Sequence, residues 1–268
     1  MLISATSALV LNWTSKDIWE TENAQDYFES LNLSEGNSLL NRFSELEKYM
    51  HTQSVTNRKY FVRKTIIEFL EGKEEGQVII LAAGIAPLSV EIATLFPGSV
   101  LFDVDKYSMP DKKNHLKNIC HNIKFIEADI TDIDFLKTVL IKNGWNPGKH
   151  SILVMEGITY YLLENDLKNI FRFFADNNAS LVADFELKPE YINEKNRRFG
   201  VDVFRKISES VGLDFVNFYE PYYFMKLVQE CGFENPEKFN MREIQIERAG
   251  KKDPFDFEDS GWIALVKN

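Results

Sequence analysis

The chain has 268 residues, 44% hydrophobic and 27% charged, the balance of an ordinary soluble globular protein. Its net charge is -10 with no long basic run, which argues against a general nucleic-acid binder, because neutralising phosphates takes clustered Lys and Arg. Cys120 and Cys231 are too few for a disulfide framework, no apolar run reaches membrane-spanning length, and the N-terminus lacks the basic start of a signal peptide, so a reduced, cytoplasmic setting is expected.

Residues 1–75 are expected to form a helical cap, with helices over 17–31, 37–50 and 57–70. The last of these carries apolar residues at helical spacing in FVRKTIIEFL. EGKEEG then reads as a solvated turn. The run 78–81 is short, apolar and rich in β-branched residues, and so predicts a buried strand. Ala82-Ala83-Gly84 follows, where the backbone turns sharply and something can approach it closely. An amphipathic helix over 88–95 ends at Pro97-Gly98, and a strand over 99–104 brings up Asp103 and Asp105. Strand, small-residue turn, helix, strand and terminal acid make the first half of a nucleotide-binding βαβ unit.

The alternation continues with a helix over 111–119, a strand over 123–127 and a helix over 134–142. A strand over 151–155 ends at Glu156-Gly157, followed by a helix over 164–174 and a strand over 179–184. Such β-α alternation predicts a parallel sheet with helices on both faces. Residues 186–220 break the rhythm and read as an inserted cap element. A helix over 222–231 stops at Gly232, and strands are expected over 241–247 and 262–266.

Several segments carry a family likeness. NRKYFVR (57–63) is similar to an Arg-bearing cap motif, QVIILAAG to a strand-and-turn motif, and FDVD to a second-strand ending. EADITD (127–132) and MEGITYYL (155–162), the latter the most specific, are also similar to family segments, as are RRFGVDVF and VQECGFE further on. On these segments the chain resembles the leucine carboxyl methyltransferase family, from roughly residue 55 to the end.

The resemblance implies an α/β fold of the class I methyltransferase type. Its Rossmann-like, seven-stranded, mostly parallel sheet would occupy 76–268, with the cap at 1–75 and the insertion at about 186–220. It implies S-adenosylmethionine as cofactor, S-adenosylhomocysteine as product and no metal. Two departures stand out: Ala82 where the family usually has Gly, and Ala86-Pro87 where it often has a polar pair.

The resemblance also implies roles for single residues. Arg63 would pair with the methionine carboxylate, Ala83 and Gly84 would form the turn under the cofactor, and Asp105 would hold the ribose hydroxyls, with Asp103 as competitor. Asp129 would contact the adenine amino group with Ile130 packed nearby, and Glu156 would contact the methionine amino group. Asp129 as a helix N-cap and Arg63 as an exposed cap arginine are the plainer alternatives. Tyr160 and Tyr161 would line the pocket beside the methyl group, unless they are core tyrosines. Arg197 and Arg198 would recognise an acidic acceptor, unless they belong to a charged surface helix. His51, His115, His121 and His150 have no zinc-site spacing.

Transfer to an oxygen is expected, with the carboxylate of a small molecule or peptide as favoured acceptor and no nucleic-acid or membrane partner. A carboxylate is already ionised at neutral pH and needs no strong base. Hydroxyl methylation of a small natural product and a catalytically inactive binding protein are the alternatives. A nicotinamide dehydrogenase is disfavoured, because the turn lacks the third glycine and there is no Tyr-x-x-x-Lys.

Overall fold

The computed structural model of the protein describes residues 4–117, 119–211 and 216–268. The chain opens with four helices: α1 (Ala5–Asn12), α2 (Glu22–Ser30), α3 (Ser34–Leu40) and α4 (Glu45–Leu70). Then β1 (Gln77–Leu81), α5 (Leu88–Leu95), β2 (Val100–Asp105), α6 (Met109–Leu116) and β3 (Ile123–Glu127) alternate. The alternation runs on through α7 (Ile133–Lys142), β4 (Ser151–Met155), α8 (Glu164–Ala175) and β5 (Ala179–Glu186). Next come α9 (Arg197–Val211), α10 (Pro221–Glu230), β6 (Glu237–Asn240), α11 (Met241–Ala249) and β7 (Ile263–Lys267).

The seven strands form one sheet in the order β3-β2-β1-β4-β5-β7-β6. β1 to β5 pair in parallel, and β7 runs antiparallel to both its neighbours. QVIIL and SILVM are buried along their whole length, as strands covered by helices on both faces must be. From β1 the chain winds one way to β2 and β3 and the other way to β4 and β5. That reversal opens a crevice at the carboxyl ends of β1 and β4.

Two sequence expectations need correction. The helices expected over 37–50 and 57–70 are not separate: α3 ends at Leu40, and α4 runs unbroken from Glu45. Ser44 starts α4 with a reciprocal cap, its side chain bonding the Glu47 N–H while Glu47 returns to the Ser44 N–H. The middle of α4, HTQSVTNRK, has no apolar stripe, yet His51, Ser54, Asn57, Arg58 and Lys59 are all buried. Its burial is polar, so hydrophobic periodicity passes over it. Residues 241–247, expected as a strand, form helix α11, and the strand is the preceding EKFN. Asn240 and Glu243 make a capping box there, and Gly250 ends the helix in the left-handed conformation. Helix α1 had no counterpart in the sequence reading.

The N-terminal helices and the inserted segment share a second apolar cluster. Leu9 and Trp13 meet Leu39, Phe43, Val55, Val203, Phe204 and Tyr160 there. Beside it His51 sits in an aromatic box, with ring centroids 4.7 Å from Trp13, 5.4 Å from Phe43 and 5.2 Å from Trp262. Its Nε2 has no hydrogen-bond partner among the described residues, and burial pushes its pKa from 6.5 down to about 3.

Removing the α11 cap, Asn240→Ala, is expected to cost about 1 kcal/mol in urea unfolding. The His51 box adds a pH dependence. The fold holds the imidazole neutral, so below its ordinary value of 6.5 the unfolded chain binds the extra proton. Its contribution is complete above that pH and is lost progressively as pH falls toward 3. Thermal denaturation across that window should show a stability slope that His51→Phe flattens.

Candidate active site

A cavity of about 310 Å³ lies in the crevice. Its floor is the β1 turn, Ala82 to Gly84, held to the tip of β2. The Ala83 N–H donates to the Val104 carbonyl at 3.1 Å, and the Gly84 N–H donates to Asp105 Oδ2 at 2.9 Å. Asp105 Oδ1 accepts from the Tyr107 N–H at 2.9 Å. Both Ala82 (φ 54°) and Gly84 (φ 49°) are left-handed, and the space where a Cβ would stand on Gly84 is open. For Ala82 that conformation is strained, by roughly 1–2 kcal/mol.

Asp103, two residues before Asp105 on β2, points to the same face and is fully buried. Its Oδ2 accepts from Ser89 Oγ at 2.6 Å and pairs with Lys112 Nζ at 2.7 Å. Lys112 is itself 1% exposed and also donates to the Ala86 carbonyl at 3.0 Å. Asp103 thus braces the turn and helix α6.

The opposite wall is a buried charge cluster supplied by α4, β4 and β5. Arg58 Nε lies 3.1 Å from Glu156 Oε1, and its Nη1 lies 3.2 Å from Asp184 Oδ2 and 3.4 Å from the Tyr160 hydroxyl. Lys59 Nζ lies 2.8 Å from the same Glu156 oxygen. Asp184 also accepts the Gly157 N–H at 2.6 Å. Burial alone would raise the Glu156 pKa, but Lys59 and Arg58 outweigh it and hold the carboxyl ionised, below its ordinary value. Burial lowers Lys59 in spite of Glu156, and raises Asp184 in spite of Arg58. Deeper still, Glu186 is pushed well above the carboxylate range by burial, with Asp184 adding to it.

Of the residues singled out in the sequence, the cavity brings together Ala83, Gly84, Asp103, Asp105, Glu156, Tyr160 and Tyr161. Arg63 is not among them. It belongs to a different buried pair, its Nε 2.8 Å from Glu91 Oε1 and its Nη2 2.9 Å from Glu20. Glu91 also takes the Glu20 and Thr21 N–H groups and the Thr21 hydroxyl, so Arg63 ties the N-terminal segment to α5. Asp129 caps its own loop through Thr131 and pairs with Lys106, outside the cavity lining, as is buried Ile130. Arg197 and Arg198 are exposed: Arg197 donates to the Ile192 carbonyl, and Arg198 lies over the Phe199 ring.

Sequence reasoning missed Arg58, Lys59 and Asp184. The available signal was NRK itself: adjacent cations in mid-helix without an apolar stripe, facing two acids that end consecutive strands.

A model of the leucine carboxyl methyltransferase family matches residues 18–175, more than half of the chain. The chain belongs to the leucine carboxyl methyltransferase family. Membership makes it an S-adenosylmethionine-dependent methyltransferase. The match starts well upstream of NRKYFVR, extending the likeness read from residue 55 toward the N-terminus, and RRFGVDVF and VQECGFE lie beyond the matched span. A search of curated proteins gives no match.

Among solved structures, a DUF574 family protein from Streptomyces avermitilis is similar at 12% identity, covering 98% of this chain and 97% of its own, with a TM-score of 0.65. A candidate methyltransferase from Thermobifida fusca is similar at 13% identity, covering 97% and 92%, with a TM-score of 0.60. At these identities the likeness is one of fold. A single substitution probes the buried cluster around Arg58. Arg58→Met leaves Asp184 buried without its cation and is expected to cost about 3–5 kcal/mol in chemical denaturation.

Proposed function

We propose that this enzyme is an O-methyltransferase that takes S-adenosylmethionine in this cavity and methylates a carboxylate. The observation that carries the reading is the state of the ionisable groups around the cavity. Among its described lining residues, Arg58, Lys59, Lys112, Asp103 and Glu156 are all paired, and Asp105 already accepts two backbone N–H groups. Burial raises Tyr160 and Tyr161, so both stay neutral. None of these groups is placed as a free general base. An acceptor oxygen therefore has to arrive ionised, as a carboxylate does at neutral pH.

The cofactor fits the residues present. The open side of Gly84 lets a ligand lie on the backbone. Asp105 sits at the β2 tip, where a carboxylate accepts ribose hydroxyls. Arg58 and Lys59 offer positive charge to an α-carboxylate, and Glu156 offers negative charge to an α-ammonium. S-adenosylmethionine, when bound, supplies a sulfonium-borne methyl group that a nucleophilic oxygen takes as the carbon–sulfur bond breaks and its electron pair goes to sulfur. The chain's part is to hold the reactants in line and exclude water.

Product chemistry tests this reading. Label transferred from S-[methyl-3H]adenosylmethionine should return as volatile methanol on mild alkaline treatment, as from a methyl ester. The rate should be flat from about pH 6 to 8, because the acceptor is ionised throughout. An alkali-stable methyl ether, formed at a rate that climbs with pH, would replace the carboxylate with a hydroxyl.

A further inference from the structure

The cavity has a second wall, which the cofactor-binding groups leave free. It consists of Thr6, Ser7, Val10 and Leu11 of α1 with Ile158 and Tyr161 of the 3-10 turn after β4. Thr6 and Val10, like Ser7 and Leu11, are four residues apart, so they share one face of α1. The other face, Ala8 and Leu9, is buried against α3. There a Cβ on Gly36 would stand 2.6 Å from the Leu9 nitrogen, so α1 is seated as close as two backbones allow. The wall is therefore fixed in place.

Its chemistry is selective. Every cation lining the cavity is already matched: Arg58 by Glu156 and Asp184, Lys59 by Glu156, Lys112 by Asp103. A second negative charge on the acceptor would have to share these cations with their protein carboxylates, and Arg58 and Lys59 with the cofactor's α-carboxylate as well. From Ser7 onward the α1 amides are taken by the Ser4 cap and the helix itself, so a peptide acceptor would bury its own amides against Val10, Leu11 and Ile158 unpaired. Beside the Thr6 and Ser7 hydroxyls, which cluster with Ser4, the Tyr161 hydroxyl makes no hydrogen bond among the described residues. Its ring is set by Tyr160 (centroids 4.6 Å) and Phe204 (6.2 Å).

We infer that the acceptor is a small monocarboxylic acid with an apolar body, its carboxylate met by the Tyr161 hydroxyl and its body by Val10 and Leu11. This rests on the carboxylate reading above and narrows it. Burial keeps the Tyr161 phenol protonated and so a donor. On that side burial also pushes Glu186 well above the carboxylate range, and Asp184 is paired with Arg58.

The test is calorimetric titration of the S-adenosylhomocysteine complex with phenylacetate, octanoate, succinate and a leucine-ended hexapeptide, followed by the methyl-ester assay on each. Phenylacetate or octanoate should bind and be esterified, while succinate and the peptide are not. Tyr161→Phe should raise the KM of the accepted acid about tenfold, the loss of one hydrogen bond to a charged group, with S-adenosylhomocysteine affinity unchanged. Leu11→Asp, which retains S-adenosylhomocysteine binding as its check on folding, should abolish binding of the acid. Esters on succinate or the peptide with neither apolar acid accepted overturn this inference and leave carboxylate methylation standing. Binding of none of the four acids to an S-adenosylhomocysteine-saturated enzyme also overturns it. An alkali-stable product would instead remove the carboxylate reading beneath it.

Discussion

The guanidinium of Arg58 is the point on which the site turns. It is buried, and it bonds the ends of two strands and a tyrosine hydroxyl at once. Taking such a group out of water is expensive and is recovered only when several partners meet it in good geometry. α4 is therefore held at a fixed height and rotation across the carboxyl ends of β4 and β5. Gly157 follows from the same constraint, since a Cβ there would stand 3.3 Å from the Arg58 Nη2. So does Tyr160, whose hydroxyl oxygen accepts from Arg58 and whose ring joins the apolar cluster of the cap. One side chain thus registers the sheet, the cavity-facing charges and the cap to each other.

The sheet was legible because its signals are local. QVIIL, SILVM and their neighbours are short β-branched runs closed by turn residues, and their alternation with helices leaves few topologies. The turn and the acids at the strand ends followed, since strand order alone places them. What escaped depends on partners distant in sequence. Arg58 and Arg63 stand five residues apart on one helix, and nothing local says which faces the cavity. The difference is made by Glu91, which claims Arg63 from α5, and by Glu156 and Asp184, which claim Arg58. The α11 helix failed differently. Its cap, Asn240 with Glu243, was present in the sequence but masked by the alternation in MREIQIE, which imitates a strand. The wall made by α1 was unreadable, because eight residues without a strong polar face carry little periodicity.

The turn shows how strain and function share a place. Ala82 holds a conformation that suits glycine and is kept there by the bonds of Ala83 and Gly84 to β2. Unusual backbone persists only where the surroundings over-determine it. Asp105 does that work with one carboxylate, bonding two backbone amides and keeping lone pairs for a ligand. The family's usual glycine would relax the turn without altering those bonds.

The aromatic box around His51 gives the enzyme a built-in optical reporter. Trp13 and Trp262 come from opposite ends of the chain and meet on the same imidazole. Trp19 and Trp145 share no such ring neighbour among the described residues. Trp262 directly precedes β7, its carbonyl accepting the Leu187 N–H, so the near-ultraviolet dichroism of the pair follows the seating of the N-terminal helices on this edge of the sheet. Spectroscopy on the unlabelled protein can then follow the contact between cap and sheet directly.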